Sequence, residues 1–325
     1  MASACLLIGD LGGTNARFAL ADNNAPGFVD ALELQCDQFA SADLAIRHYI
    51  KTTGAPTPDV ICLAAAGPVI DQQVRLTNNP WSVSADELVE NFANPTVRLL
   101  NDFEAIAYSI PFLSDEDCMP IGSPAFGALA DEHYTVAILG PGTGLGSAGL
   151  RKQGGHHFGI ACEAGHNGFA PENEVQLDVL VVLRERFDRV TAEQLVSGPG
   201  IANIYWALSR IQGEDLPPLS APDIFAKAGD NSDSLAVDSV QLFFEVLGQV
   251  AGDLSLTLGA HDGIFIAGGI ARRHPQLMLA SRFRSGFESK GRYRSMMEQI
   301  PTQLIVHPQP GLLGAAYCAL QMWQH

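Results

Sequence analysis

Two stretches combine glycine and threonine, the first with an acid as well, at a spacing that suits phosphate chemistry. "GDLGGTNAR" (Gly9–Arg17) and "GPGTGLG" (Gly140–Gly146) each follow an apolar run. Glycine admits positive φ and lets backbone N–H groups approach an anion with no Cβ in the way. The same residues also make tight hairpins, so each stretch alone is either a plain turn or a phosphate nest. In the first, Asp10 would end a strand beside the turn. A carboxylate there would repel phosphate, but it can hold Mg²⁺ or its waters. Thr14, Asn15 and Thr143 could donate to phosphate oxygens. Arg17 could neutralise developing charge or pair with Asp10.

Three other stretches carry groups able to move a proton or hold a polyol. In "VRLLNDFEAIAYSI" (Val97–Ile110), Asn101 or Asp102 falls where a strand meets a helix. Asn101 and Glu104 have capping-box spacing, which accounts for one polar residue but not for both. An Asp at the C-terminal end of a strand in an α/β domain is well placed as a general base. In "CEAGHNGFAP" (Cys162–Pro171), Glu163 and His166 flank a small-residue turn. Their acceptor and donor groups suit a polyol; the plainer reading is a surface loop. Glu193, in "TAEQLVSGPG", taken alone is a solvated helix residue. "GIFIAGGIARR" (Gly263–Arg273) is a strand, a Gly268-Gly269 turn and a helix start. It is either a simple βα turn or a crevice for a base or ribose.

Absences narrow the chemistry. A P-loop needs Gly-Lys-Ser/Thr, and none of the four lysines follows a glycine. The spacing Gly140, Gly142, Gly144, Gly146 has period two, unlike the dinucleotide fingerprint. No zinc spacing occurs among the His and Cys residues. The chain of 325 residues is 47% hydrophobic, enough for a sizeable core in two domains. Its 36 acidic and 19 basic residues leave a net charge of −17. That balance disfavours nucleic acid and anionic membranes as partners. Six scattered cysteines, without a C-x-x-C pair, suit reduced thiols in the cytoplasm. The N-terminal apolar run is too short for a signal peptide, and no stretch reads as a membrane span.

The elements that must position these groups alternate in an α/β pattern. Strands are expected at Cys5–Ile8, Phe18–Ala21, Val60–Ala66, Val97–Leu100, Val136–Leu139 and Gly263–Ile266. Ser41 should cap a helix to Lys51, with Gly54 as its stop. A Ser84–Glu87 capping box should open a helix toward Phe92. Further helices are expected from Phe103, at Gln176–Phe187, at Ser239–Leu258 (buried, because it is apolar around much of its surface) and at Gly311–Gln321. "LLIGDLGGTNARFAL" and "VAILGPGTGLGSAGL" share a strand–turn–strand plan, so the architecture reads as duplicated.

Taken together and in this order, the stretches resemble the glucokinase family of bacterial type, within the sugar kinase, heat-shock ATPase and actin superfamily. "SGPGI" (Ser197–Ile201) and "GLLGAAY" (Gly311–Tyr317) add to the match, which runs along essentially the whole chain. The resemblance implies a two-domain actin-like ATPase (ribonuclease H-like) fold with an interdomain cleft. Residues 1–110 with the C-terminal helix 311–325 would form a small domain, and 111–310 a large one. It implies ATP-dependent phosphorylation of glucose at its 6-hydroxyl, with Mg²⁺, and is compatible with a homodimer. Asp102 takes the catalytic base position. Asn101, Asp102, Glu163, His166 and Glu193 take the sugar positions. Gly9, Asp10, Gly12, Gly13, Thr14, Asn15, Gly142, Thr143, Gly144, Gly268 and Gly269 take the nucleotide positions, with Asp10 on the metal side through water. Repressor-related sugar kinases carry a Cys-rich zinc motif after the histidine, which "GHNGFAPENE" lacks. No DNA-binding segment precedes Gly9. Ala164 stands where many relatives have a second glycine, and its methyl group could tighten the sugar pocket. Two rival readings stay open: a kinase for fructose, mannose or an amino sugar, and a non-catalytic sugar sensor.

Overall fold

The computed structural model describes residues 4–130, 132–214 and 216–324. They fall into two compact units, Met1–Ser114 with His307–His325, and Asp115–Val306.

The first unit is built on a five-stranded sheet. Its strands are β1 (Leu6–Leu11), β2 (Asn15–Ala21), β3 (Phe28–Gln35), β4 (Val60–Ala65) and β7 (Thr96–Asn101), in the order β3-β2-β1-β4-β7. A side hairpin is formed by β5 (Gln73–Arg75) and β6 (Ser82–Ser84). β1 and β2 are antiparallel, while β1, β4 and β7 run parallel. Every residue of β4, "VICLAA", is buried, as a strand covered on both faces requires. Helices α1 (Ala42–Thr53), α2 (Ala85–Asn91) and α3 (Asp102–Ser109) complete the crossovers. Gly54 ends α1 in the left-handed conformation, as its position predicts. The Ser84–Glu87 box does not form: α2 starts at Ala85, but the Ser84 side chain makes no capping hydrogen bond. Ser41 likewise precedes α1 without capping it. The C-terminal helix Pro310–Gln324 packs on α3, β1 and β4.

The second unit repeats the plan. Its sheet has the order β11-β10-β9-β12-β13-β8, from β8 (Cys118–Pro120), β9 (His133–Pro141), β10 (Leu145–Gln153), β11 (His156–Cys162), β12 (Gly263–Ile266) and β13 (Thr302–Ile305). β9 and β10 form the antiparallel hairpin, and β9, β12 and β13 are parallel. The duplication seen in the sequence is thus a duplicated topology, with β8 added at one edge. Helices α4 (Glu174–Leu183), α5 (Gly198–Ile211), α6 (Ala221–Gly229) and α7 (Ser234–Leu258) pack around one core. α7 begins five residues before the expected Ser239, because the Asp233 side chain accepts from Ala236 N and caps it. At 25 residues it is long and apolar enough to cross a membrane, contrary to the sequence reading. However, 72% of its most apolar window is buried in the unit, with Phe243, Phe244 and Leu247 fully enclosed. α7 is a core helix, and its apolar circumference follows from being covered on most sides.

Across β9, β10 and β11, the Tyr134 hydroxyl of β9 and His157 Nε2 of β11 are 2.6 Å apart. Burial, with Lys152 second, pushes the His157 pKa down from 6.5 to about 4. The unfolded chain therefore binds the additional proton between those values, and folding stability falls as pH drops through that window. Replacing His157 with Gln should flatten the loss of Tm between pH 7 and 4.5. Parallel wild-type and variant slopes would refute the assignment.

Candidate active site

In the first unit, β1 runs through Asp10 and ends at Leu11, so Asp10 lies within the strand and does not end it. The turn Gly12-Gly13-Thr14 leads directly into β2. It is closed by Gly12 N donating to Asn15 O at 2.9 Å. It is clamped from outside by Asn79 Nδ2 on Gly13 O at 3.2 Å and by Cys36 N on Thr14 O at 2.8 Å. A Cβ on Gly13 would lie 2.9 Å from Asn78 Cβ, so that close approach requires glycine. Thr14 is exposed at the tip.

Asp10 and Arg17 are register partners across the hairpin, with Arg17 Nη1 at 3.7 Å from Asp10 Oδ2. Arg17 Nε reaches Glu33 Oε2 on β3 at 2.6 Å. Of the two uses the sequence left for Arg17, pairing with Asp10 is the one observed. Burial raises the Asp10 pKa, and Arg17 opposes that shift. Two residues expected at nucleotide positions have other partners here. Gly9 is buried, and a Cβ there would strike Leu63 Cδ2 at 2.8 Å and Phe18 Cδ1 at 3.0 Å, so it is a packing glycine inside the sheet. Asn15 donates its amide to Glu33 Oε1 at 2.9 Å and does not turn it toward the tip, while its Oδ1 is buried without a partner.

Asn101 ends β7 and Asp102 begins α3. Asn101 Oδ1 accepts from Phe103 N at 2.9 Å and Glu104 N at 3.3 Å, and its Nδ2 donates to Gly67 O at 3.1 Å. The capping role thus belongs to Asn101. Asp102 is half-buried in the first turn, its Oδ1 accepting from Phe103 N at 2.9 Å. A helix N-terminus favours a carboxylate there.

In the second unit, residues Gly142, Thr143 and Gly144 join β9 to β10, with Gly142 N donating to Gly144 O at 2.8 Å. Thr143 is exposed, matching Thr14. Gly198 N, the first residue of α5, donates to Gly142 O at 2.8 Å. Glu193 Oε2 accepts from Leu145 N at 2.9 Å, and a Cβ on Gly144 would collide with that carboxylate. Gly268 has φ 88°, and a Cβ there would lie 2.5 Å from Pro141 O. The Gly268-Gly269 turn therefore abuts the end of β9, next to the second glycine turn.

Glu163 follows β11 and precedes a single 3₁₀ turn, Ala164–His166, closed by His166 N on Glu163 O at 3.0 Å. Both side chains are exposed. Ser147 Oγ accepts from Ala164 N at 2.9 Å, and a Cβ on Gly165 would run into Leu145 O. The loop is zipped to the Glu193 segment by Phe169 N on Val190 O and Ala192 N on Asn167 O, both 3.0 Å. Glu163, His166, Glu193 and the second turn therefore form one cluster. Ala164 is buried and belongs to the unit's core cluster, so its methyl group is a packing element.

The family model for glucokinase matches residues 7–322. A glucokinase of Caulobacter vibrioides is 40% identical over 315 residues, covering 95% of this chain and 93% of that protein. The chain belongs to the glucokinase family. A crystal structure of glucokinase from an Antarctic psychrotroph superposes with a TM-score of 0.87 at 35% identity, over 97% of this chain and 98% of that one. That likeness establishes the expected actin-like ATPase architecture. A ROK family glucokinase from Streptomyces griseus, described in complex with glucose and AMPPNP, shares the fold at a TM-score of 0.65 and 19% identity, over 98% of this chain and all (100%) of that one. Among the described residues, no group of three or more His, Cys, Asp or Glu could hold a metal ion.

Sequence reasoning overlooked the residues that hold the family's motifs in shape. Asn79 clamps Gly13, Ser147 clamps Ala164, and Glu33 takes up Asn15 and Arg17. Only Asn79 had a local signal, since "TNNP" is a turn sequence.

Proposed function

We propose that the protein transfers the γ-phosphoryl group of ATP to the 6-hydroxyl of D-glucose. The observation that carries this reading is the Glu193 carboxylate. It belongs to the loop pair bearing Glu163 and His166, yet it holds Leu145 N of the second glycine turn. This supports a reading in which the sugar-binding and phosphate-binding segments share one residue and so hold donor and acceptor close together.

In this reading Asp102 accepts the proton of the 6-hydroxyl on a carboxylate oxygen as the oxygen attacks in line. Glu163 and Glu193 accept hydrogen bonds from sugar hydroxyls, and the His166 ring orients a third. The backbone N–H groups at Gly12–Thr14 and Gly142–Gly144 bind phosphate oxygens. Transfer of this kind depends mostly on positioning and on charge stabilisation. The residues near Asp10 fit Mg²⁺: a carboxylate whose burial disfavours its charge, and the orphaned buried Asn15 Oδ1 on the same hairpin. When bound, Mg²⁺ would neutralise phosphate charge there, with Asp10 acting through water. One carboxylate plus phosphates is an ordinary Mg²⁺ site.

A coupled ADP-release assay across glucose, fructose, mannose and glucosamine tests the reading. Glucose should give the highest kcat/KM. Higher values for another hexose would reassign the substrate, and no ADP release with any would leave a sugar sensor.

A further inference from the structure

Ser147 lies on β10, the strand that leaves the second glycine turn, and is 1% exposed. It faces Cys162 in the last register pair of β10 with β11. Beyond that pair the chain leaves the sheet at Glu163, so Ala164 N has no ladder partner. The Ser147 hydroxyl takes the place of one. It accepts from Ala164 N at 2.9 Å and from Cys162 Sγ at 3.4 Å, and it donates to Cys162 O at 3.2 Å. A hydroxyl has one donor and two acceptor sites, so its whole capacity is spent on the residues either side of Glu163. The Glu163 carboxylate is exposed, and among the described residues no hydrogen bond or ion pair restrains it. Its aim is therefore set by its backbone.

We infer that Ser147 is a positioning residue for the sugar: its hydroxyl fixes the backbone on both sides of Glu163 and so holds that carboxylate where a sugar hydroxyl meets it. This role rests on the sugar-binding reading above. β10 is suited to it because the same strand holds the other glutamate, with Leu145 N donating to Glu193 Oε2 at 2.9 Å. One strand thus sets the spacing of both carboxylates from the glycine turn. Without the hydroxyl, Ala164 N would be a buried donor lacking an acceptor. That is costly, and the peptide relieves it by moving toward water, which re-aims Glu163.

A double-mutant cycle on the full chain, read by calorimetric glucose titration without nucleotide, tests this. Ser147→Ala should weaken glucose binding about tenfold, most of one hydrogen bond to a charged group, with the KM for ATP unchanged. It should also lower Tm, as loss of any buried structural serine would. The cycle separates the two roles. If Ser147 acts through Glu163, adding Ser147→Ala to Glu163→Ala should change the glucose Kd by less than about twofold. An unchanged glucose Kd in Ser147→Ala alone, or an undiminished loss in the Glu163→Ala background, overturns the assignment. Should Ser147→Ala fail to fold, Ser147→Thr and Ser147→Val decide, since both introduce the same branched shape and only the first keeps a hydroxyl. The Ser147→Thr protein should bind glucose about tenfold more tightly than the Ser147→Val protein, and equal affinities overturn the assignment. A wild type that binds no glucose, or Glu163→Ala with an unchanged glucose Kd, overturns instead the sugar reading on which it rests.

Discussion

An Asp102→Asn protein is expected to lose ~10²- to 10⁴-fold in kcat, the range of general-base contributions, with its glucose Kd nearly unchanged. Asn preserves the shape of the side chain and keeps an oxygen for the Phe103 N–H, which Asp102 Oδ1 accepts at 2.9 Å. It removes the ability to take a proton. The local fold should survive, because α3 is capped by its neighbour Asn101. Substituting that neighbour separates the roles. Asn101→Ala loses the bonds to Phe103 N, Glu104 N and Gly67 O, and should cost stability, about 1 kcal/mol for a lost cap, in addition to any loss of sugar affinity. Steady-state kinetics, calorimetric glucose titration and thermal melts on the two variants decide the assignment. Near-normal turnover in Asp102→Asn would remove Asp102 as the base.

The two adjacent polar residues were legible because a strand-to-helix junction needs one cap, and the second then has to be accounted for. The glycine turns were legible for a similar local reason. Gly9 was not, since a motif read as a unit assigns every glycine to the turn, whereas strand alternation sends Gly9 toward Phe18 and Leu63, on the face opposite Asp10. Glu193 carried no local signal at all: its partner Leu145 lies 48 residues away in the chain. The start of α7 was misplaced because "DNSDS" offers several capping residues within a few positions, and only packing selects Asp233. Periodicity and capping therefore gave the elements and the order of the motifs. The side chains that hold motif to motif are long-range contacts, which no local pattern encodes.

The same distinction governs Gly314. A glycine inside a helix costs roughly 1 kcal/mol relative to Ala, so Gly314→Ala in "GLLGAAY" looks stabilising from sequence alone. The opposite is expected. The C-terminal helix crosses α3 at this point, and a Cβ on residue 314 would overlap the Ala105 carbonyl oxygen and lie 2.7 Å from its carbon. Both obstacles are backbone, so relief requires the two helices to separate. Over-packing of this kind costs about 1–3 kcal/mol. α3 also begins with Asp102, so its displacement moves the proposed base, and misplacement by an ångström can lower turnover ~10²-fold. Gly229→Ala, in α6 with nothing within 4 Å of its would-be Cβ, should instead be neutral or stabilising by up to ~1 kcal/mol. Melting curves and kcat measured on both variants test the contrast. A Gly314→Ala protein that melts at or above wild type with full activity would show that α3 and the C-terminal helix can part without moving Asp102.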